Sequence, residues 1–201
     1  MVAIGSPRDL SLSVPLDLPH GAGEASPWVQ RWAHLIRPQG TVLDIACGRG
    51  RHMQFLAAQG HQVLGLDRSA EALNAAAAWG EVLQADTENE AWPLMQNDQP
   101  RQFDAVVVTN YLWRALFPVM LQSLAPGGVL IYETFAAGNE TVGKPSRPDF
   151  LLQPGELLSA FPGLRVVAYE AGYLSKSPRF VQRLVAVKLD LSDQPPAQFP
   201  L

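Results

Sequence analysis

The stretch TVLDIACGRGRHMQFLAAQGHQVLGLD, residues 41–67, decides the fold. It opens on a short β-branched run, Thr41 to Ala46, and passes through two spaced glycines, Gly48 and Gly50. It continues into GRHMQFLAAQ (50–59), whose apolar residues recur at helical spacing, and then into a second apolar run, HQVLGLD (61–67). Strand, glycine turn, helix and strand in so short a span make a βαβ unit, which requires parallel pairing and a right-handed crossover. The two glycines allow a tight strand-to-helix turn and let a ligand approach bare backbone at a helix N-terminus.

Outward from this unit the alternation continues. The alanine-rich SAEALNAAAAW (69–79) reads as a helix capped by Ser69, and EVLQAD (81–86) as a third strand. Residues 87–102, with Pro93 and Pro100, read as a loop or ragged helix. FDAVVVTN (103–110) is a fourth strand, LWRALFPVMLQSL (112–124) a helix interrupted near Pro118, and GGVLIYETF (127–135) a fifth strand. After a polar loop, GELLSAF (155–161) is a short helix. LRVVAYEAGYL (164–174) and RFVQRLVAVKL (179–189), joined by SKSP, form a hairpin. Upstream, SPWVQRWAHLI (26–36) is a helix capped by Ser26, with Pro27 at the tolerated first position and Trp28, Trp32 and Leu35 on one face. The expected fold is α/β with three layers: a Rossmann-like, mostly parallel seven-stranded sheet with one antiparallel strand from the closing hairpin. One domain is expected over 26–190, between an irregular arm at 1–25 and a loose tail at 191–201.

Composition narrows the partners. A chain of 201 residues, 47% of them apolar, can bury one substantial core. The net charge of −4 gives no pull towards phosphate backbones or anionic lipid. Residues 140–188 hold seven Lys/Arg against four Asp/Glu, a dispersed local excess that leaves RNA open as a partner but does not argue for it alone. The single cysteine, Cys47, excludes an internal disulfide and suits a reducing compartment. No apolar run approaches the ~20 residues that cross a bilayer, and MVAIGSPRDL does not read as a signal peptide, so a cytoplasmic location is expected. No metal site is expected.

In sheets of this kind ligands sit beyond the carboxyl ends of the strands. Asp44 stands where a dinucleotide fold usually has a glycine; an acid there repels a pyrophosphate but tolerates, and can orient, a ligand bearing an ammonium and a sulfonium. Asp67, 17 residues after Gly50, is placed to accept from ribose hydroxyls, and Asp86 from an adenine amino group. Each has a plainer reading: Asp67 as a cap for the next helix, Asp86 as a loop acid, Cys47 as a packed small residue, Arg51 and His52 as exposed residues of a first helical turn.

Together these features resemble the class I S-adenosylmethionine-dependent methyltransferases. Their first motif reads here as Asp44-x-Ala46-x-Gly48-x-Gly50, with Ala46 in place of a glycine; GLDRS, QAD, FDAVVVTN and LAPGGVLIYET resemble the blocks that follow. The resemblance implies S-adenosylmethionine as cofactor and S-adenosylhomocysteine as product. It implies cofactor contacts at Asp44, Ala46, Cys47, Gly48, Gly50, Asp67, Arg68, Asp86 and Asn110, with Arg51 or Arg31 available to the methionine carboxylate. CGRGRHMQFLAAQGHQVLGLD is similar to a small bacterial group that includes the tellurite-resistance methyltransferases. Asn110 is followed by Tyr111-Leu112 and not by the Pro-Pro-aromatic run of amino-methylating nucleic-acid enzymes, which argues against adenine or glutamine amides as acceptors.

Methyl transfer from a sulfonium needs no protonated leaving group, so proximity and orientation can carry much of the catalysis. A small, anionic or heteroatom acceptor is expected. The long polar loop after the fifth strand is functional by its length, and Asn139, Glu140, Lys144, Arg147 and Asp149 are its candidate acceptor contacts. Tyr111, Glu133, Lys144 and Arg147 are catalytic candidates, with Trp113 and Tyr132 beside them at the strand ends. Three alternatives stay open: a nicotinamide-dependent oxidoreductase, opposed by Asp44 and by Met53 where a third glycine would stand; an RNA methyltransferase; and a donor-binding protein without acceptor chemistry.

Overall fold

The structure is a computed structural model, and it describes residues 23–190 and 198–201. The expected arm (1–25) and tail (191–201) therefore lie largely outside the described residues. Of the tail, Phe199 packs against the core and the Pro200 carbonyl lies 3.2 Å from His34 Nε2.

Seven strands form the main sheet: β1 (Thr41–Ile45), β2 (Gln62–Asp67), β3 (Glu81–Gln84), β6 (Phe103–Thr109), β7 (Leu124–Phe135), β8 (Arg165–Leu174) and β9 (Arg179–Val187). Their order is β3-β2-β1-β6-β7-β9-β8, and β9 alone runs antiparallel to its two neighbours. The order reverses at β1, which pairs with β2 on one side and β6 on the other, so a crevice opens above its carboxyl end.

Two apolar clusters, one on each face, make the three layers. On one face α1 (Pro27–Trp32), α2 (Arg51–Ala58) and α3 (Ala70–Ala76) bury Trp28, Trp32, Met53, Leu56 and Leu73 against Val42, Val107 and Ile131. On the other, Leu116, Met120 of α4 (Phe117–Gln122), and Leu157 of α5 (Glu156–Ala160) cover Leu43, Val106, Val108 and Leu130. β6 is buried along its whole length, as a central parallel strand must be. No helix among the described residues is long and apolar enough to cross a membrane.

The elements depart from expectation in three places. The first helix holds α geometry only to Trp32 and tightens into a 3₁₀ turn over Ala33–Leu35. The segment before β6 folds as a small hairpin, β4 (Met95–Gln96) and β5 (Gln99–Pro100), because Asn97 and Asp98 both take the left-handed conformation that a two-residue turn demands. The interruption near Pro118 is a junction: a 3₁₀ turn at Arg114–Leu116 leads into α4, with the proline in its first turn, where no amide is needed.

Packing beneath the glycine loop explains why Met53 replaces a third glycine. Met53 is fully buried, and the space it fills lies over Gly65 of β2, where an added Cβ would sit 2.4 Å from the Met53 sulfur. The small residue that lets helix and strand approach is on the strand here, not on the helix.

Candidate functional site

Beyond the carboxyl ends of the strands lies a cavity of about 860 Å³. One end is walled by the ends of β1 to β3: Ile45 and Ala46, Leu66 to Arg68, and Ala85 to Glu88. The middle is walled by Asn110 to Leu112 after β6, and the other end by Thr134 and Phe135 at the end of β7 and by Lys144 to Arg147 with Phe150 from the following loop. At that size it stands near the top of the range for small-molecule sites.

The loop between β1 and α2 turns through left-handed residues, Ala46 (φ 56°) and Gly48 (φ 54°), before Gly50 (φ 81°) precedes the helix. Asp67 holds this turn in place: its Oδ2 accepts from the Gly48 amide at 2.8 Å and its Oδ1 from the Ser69 amide at 2.9 Å. Ser69 itself caps α3 by accepting from the Ala72 amide. Asp67 therefore serves the helix start and faces the cavity at once. Asp86 accepts from the Glu88 amide and the Asn89 side chain. These bonds hold its carboxyl below the ordinary carboxylate range, and it lines the cavity as an ionised acceptor.

Asp44 differs from both. It is 1% exposed, and its Oδ2 has no hydrogen-bond partner among the described residues. Burial raises its pKa from 3.8 to about 8, with the nearby Arg51 pulling the other way. A buried carboxylate short of one partner, directly behind the glycine turn, suits the cationic end of a ligand and not a pyrophosphate. By this measure the residues present fit S-adenosylmethionine.

Around Arg51, which also neighbours Asp44, lies a charged network whose members stand far apart in the sequence. Glu133 is fully buried and pairs with Arg183 (Nε to Oε2, 2.6 Å) and Arg179 (3.2 Å), and it accepts from Ser26 Oγ at 3.1 Å. Arg179 also donates to the Asn110 side chain. Glu133 does not line the cavity. Two arginines engage this catalytic candidate from within the fold. His52 corrects another expectation: it is 2% exposed, its Nε2 accepts from the Ser26 amide at 3.2 Å, and burial depresses its pKa to about 3.

The loop candidates divide. Lys144 and Arg147 line the cavity. Asn139 instead ties the loop down from inside, donating to the Pro145 carbonyl and accepting from the Phe180 amide. Glu140 accepts from the Gly138 amide, and Asp149 pairs with Arg147 at 2.9 Å. Arg31 points away and meets Glu170 at 3.5 Å, because α1 turns Trp28, Val29 and Trp32 inward. Gly48, Gly50, Cys47 and Arg51 do not line the cavity, and burial pushes the Cys47 thiol well up, as befits a packed residue. Tyr111 lines the cavity with its hydroxyl 3.1 Å from Thr87 Oγ1, and burial raises its pKa to about 12. Tyr132 lies beneath, fully buried, donating to the Tyr111 carbonyl, and Trp113 packs on the core.

Missed altogether was Arg114, which clamps the loop. It donates to both Glu156 carboxylate oxygens at 2.6 and 3.0 Å, and to the carbonyls of Asp149 and Leu151 at 2.7 and 3.0 Å. Phe135 and Phe150, the aromatic faces of the cavity, were missed as well.

Residues 42–128 match the methyltransferase domain family. No curated protein sequence matches the chain significantly. Among solved structures, TehB from Haemophilus influenzae superimposes with a TM-score of 0.64 at 18% identity over 80% of this chain; the match spans 61% of TehB, so the chain spans about three fifths of that protein's length. An S-adenosylmethionine-dependent methyltransferase from Methanosarcina mazei gives 0.61 at 15% identity over 83% of this chain and 99% of its own. The glycopeptide N-methyltransferase MtfA gives 0.55 at 19% identity, over 79% and 88%. The fold is shared with all three. The match over residues 42–128 and the shared fold together place the chain beside the S-adenosylmethionine-dependent methyltransferases, and its buried strand-end acid suits the cation of that donor.

Proposed function

We propose that the protein transfers a methyl group by in-line displacement to a small acceptor that is anionic or offers a heteroatom nucleophile. The observation that carries this reading is the cavity itself: strand-end acids at one end, Lys144 and Arg147 at the other. In this assignment Asp67 takes the ribose hydroxyls and Asp86, with Leu112 beside it, the adenine. The turn from Ala46 to Gly50 presents backbone to the donor. Asp44 takes the donor's cationic end, and Arg51, Arg179 and Asn110 form the side open to its carboxylate. The donor, when bound, supplies an electrophilic methyl on a sulfonium; the chain's own residues hold it and aim it at the acceptor.

A small acceptor is favoured over RNA because part of the local basic excess is held inside the fold: Arg179 and Arg183 pair with the buried Glu133, and Lys188 donates to the Leu124 carbonyl. What is left is dispersed, not the clustered basic face that marks nucleic-acid binding. Calorimetric titration tests the donor: S-adenosylmethionine binds and a nicotinamide dinucleotide does not. The double variant Lys144→Ala/Arg147→Ala tests the acceptor, with donor affinity kept and acceptor KM raised at least tenfold. Unchanged acceptor kinetics would remove these residues from the reading.

A further inference from the structure

The cavity is electrically polarised along its length. Its acids, Asp67, Asp86 and Glu88, line the end formed by β2 and β3, with Arg68 among them. Its loop end carries Lys144 and Arg147. Lys144 makes no ion pair among the described residues, and the partner of Arg147, Asp149, forms a pair whose side chains are 72% and 73% exposed. An exposed pair of that kind is worth ~1 kcal/mol or less, so a ligand anion can displace it. The walls at this end are aromatic, Phe135 and Phe150, with the Arg147 guanidinium stacked 5.2 Å over the Phe150 ring.

Groups that could take a proton from an acceptor are engaged elsewhere. Glu133 is sealed beneath Arg179 and Arg183, and the His52 ring already accepts from the Ser26 amide. Neither lines the cavity. The Tyr111 hydroxyl, bonded to Thr87, holds its proton through the neutral range. Among the described residues, no histidine or carboxylate lines the loop end.

We infer that the acceptor is a small molecule with a flat apolar body, held as an anion by Lys144 and Arg147, and that these cations, not a protein base, secure the ionised form that is methylated. This rests on the reading of the cavity as a donor end and an acceptor end. The acceptor's proton goes to solvent before transfer. Its freed electron pair then forms the bond to the methyl carbon, while the carbon–sulfur bond breaks with its electrons moving to the donor sulfur. One negative and one positive charge disappear together, so each cation–anion contact that held the reactants weakens in the products.

The test follows 4-fluorothiophenol, 4-fluorobenzoate and the neutral 4-fluorotoluene by fluorine NMR, on full-length protein loaded with S-adenosylhomocysteine. At least one anionic probe is expected to bind ten times more tightly than the neutral one. Its ionisation midpoint is expected to fall by about one pH unit or more on binding, as an opposite charge within a few ångström requires. The Lys144→Ala/Arg147→Ala variant should lose both effects while binding S-adenosylhomocysteine as the parent does. Equal binding of the neutral probe, a bound midpoint at or above the free one, or no binding of either anion would overturn the inference. Loss of S-adenosylhomocysteine binding by the parent protein would instead overturn the reading of the cavity.

Discussion

Replacing Asp44 by Asn should make the unliganded protein more stable and a poorer binder of its donor. Burial holds the Asp44 pKa near 8, against 3.8 for the free side chain. Since the folded value is the higher one, the contribution of this group to stability is fully present below about pH 4 and is lost as pH rises towards 8. At 1.36 kcal/mol per unit, the loss amounts to at most ~4 kcal/mol by pH 7, of which ~2–3 kcal/mol develops between pH 5 and 7. Asparagine keeps the shape and carries no charge, so urea denaturation of the two unliganded proteins should diverge across that range, with the variant ahead. Donor binding should reverse the balance, because a cation beside Asp44 recovers the cost of ionising it. Titration calorimetry in two buffers of different ionisation enthalpy should then show close to one proton released per S-adenosylmethionine bound at pH 7, fading above pH 9. The variant should release none and bind more than tenfold more weakly. A stability difference that does not change with pH, together with no proton release, would refute the reasoning.

Three further outcomes follow from the same geometry. Glu133→Gln should cost ~3–5 kcal/mol in chemical denaturation, since it leaves Arg179 and Arg183 largely buried around a neutral amide; a cost below 1 kcal/mol would mean the arginines reach solvent. Arg114→Ala should raise acceptor KM several-fold while leaving the donor dissociation constant alone, because it frees the Asp149 and Leu151 carbonyls that set the cavity loop; equal losses for donor and acceptor would place its effect elsewhere. Gly65→Ala should destabilise by ~1–3 kcal/mol through overpacking against Met53 and Cys47, with partial recovery on trimming Met53 to Val, read as a coupling in a double-mutant cycle.

The fold was legible because its signals are local. Each strand of the parallel core is a short apolar run ending in a turn residue, and the acids at those ends, Asp44, Asp67 and Asp86, sit at fixed distances from the glycine loop. The β4–β5 hairpin escaped because Asn97-Asp98 is a weaker turn signal than an Asn-Gly pair. His52 was legible in principle: it shares the inward face of α2 with Met53 and Leu56, four residues on. The Glu133 network was not, because its partners come from 107 residues upstream at Ser26 and 46 downstream at Arg179, and a charge carries no mark of its distant partner. The loop misled for a related reason. Its polar residues read as facing a ligand, yet Asn139 and Glu140 bond to backbone, at Pro145, Phe180 and Gly138, which is how an irregular segment satisfies itself.

The most direct test is a crystal structure of the protein with S-adenosylhomocysteine. The ribose hydroxyls should lie within hydrogen-bond distance of the Asp67 carboxylate, the adenine amino group near Asp86, and the amino group of the amino-acid end towards Asp44, with the sulfur opening onto the space before Lys144. A nucleoside bound with its ribose away from Asp67, or with its sulfur facing β2 and β3 instead of the loop, would contradict the division of the cavity into donor and acceptor ends.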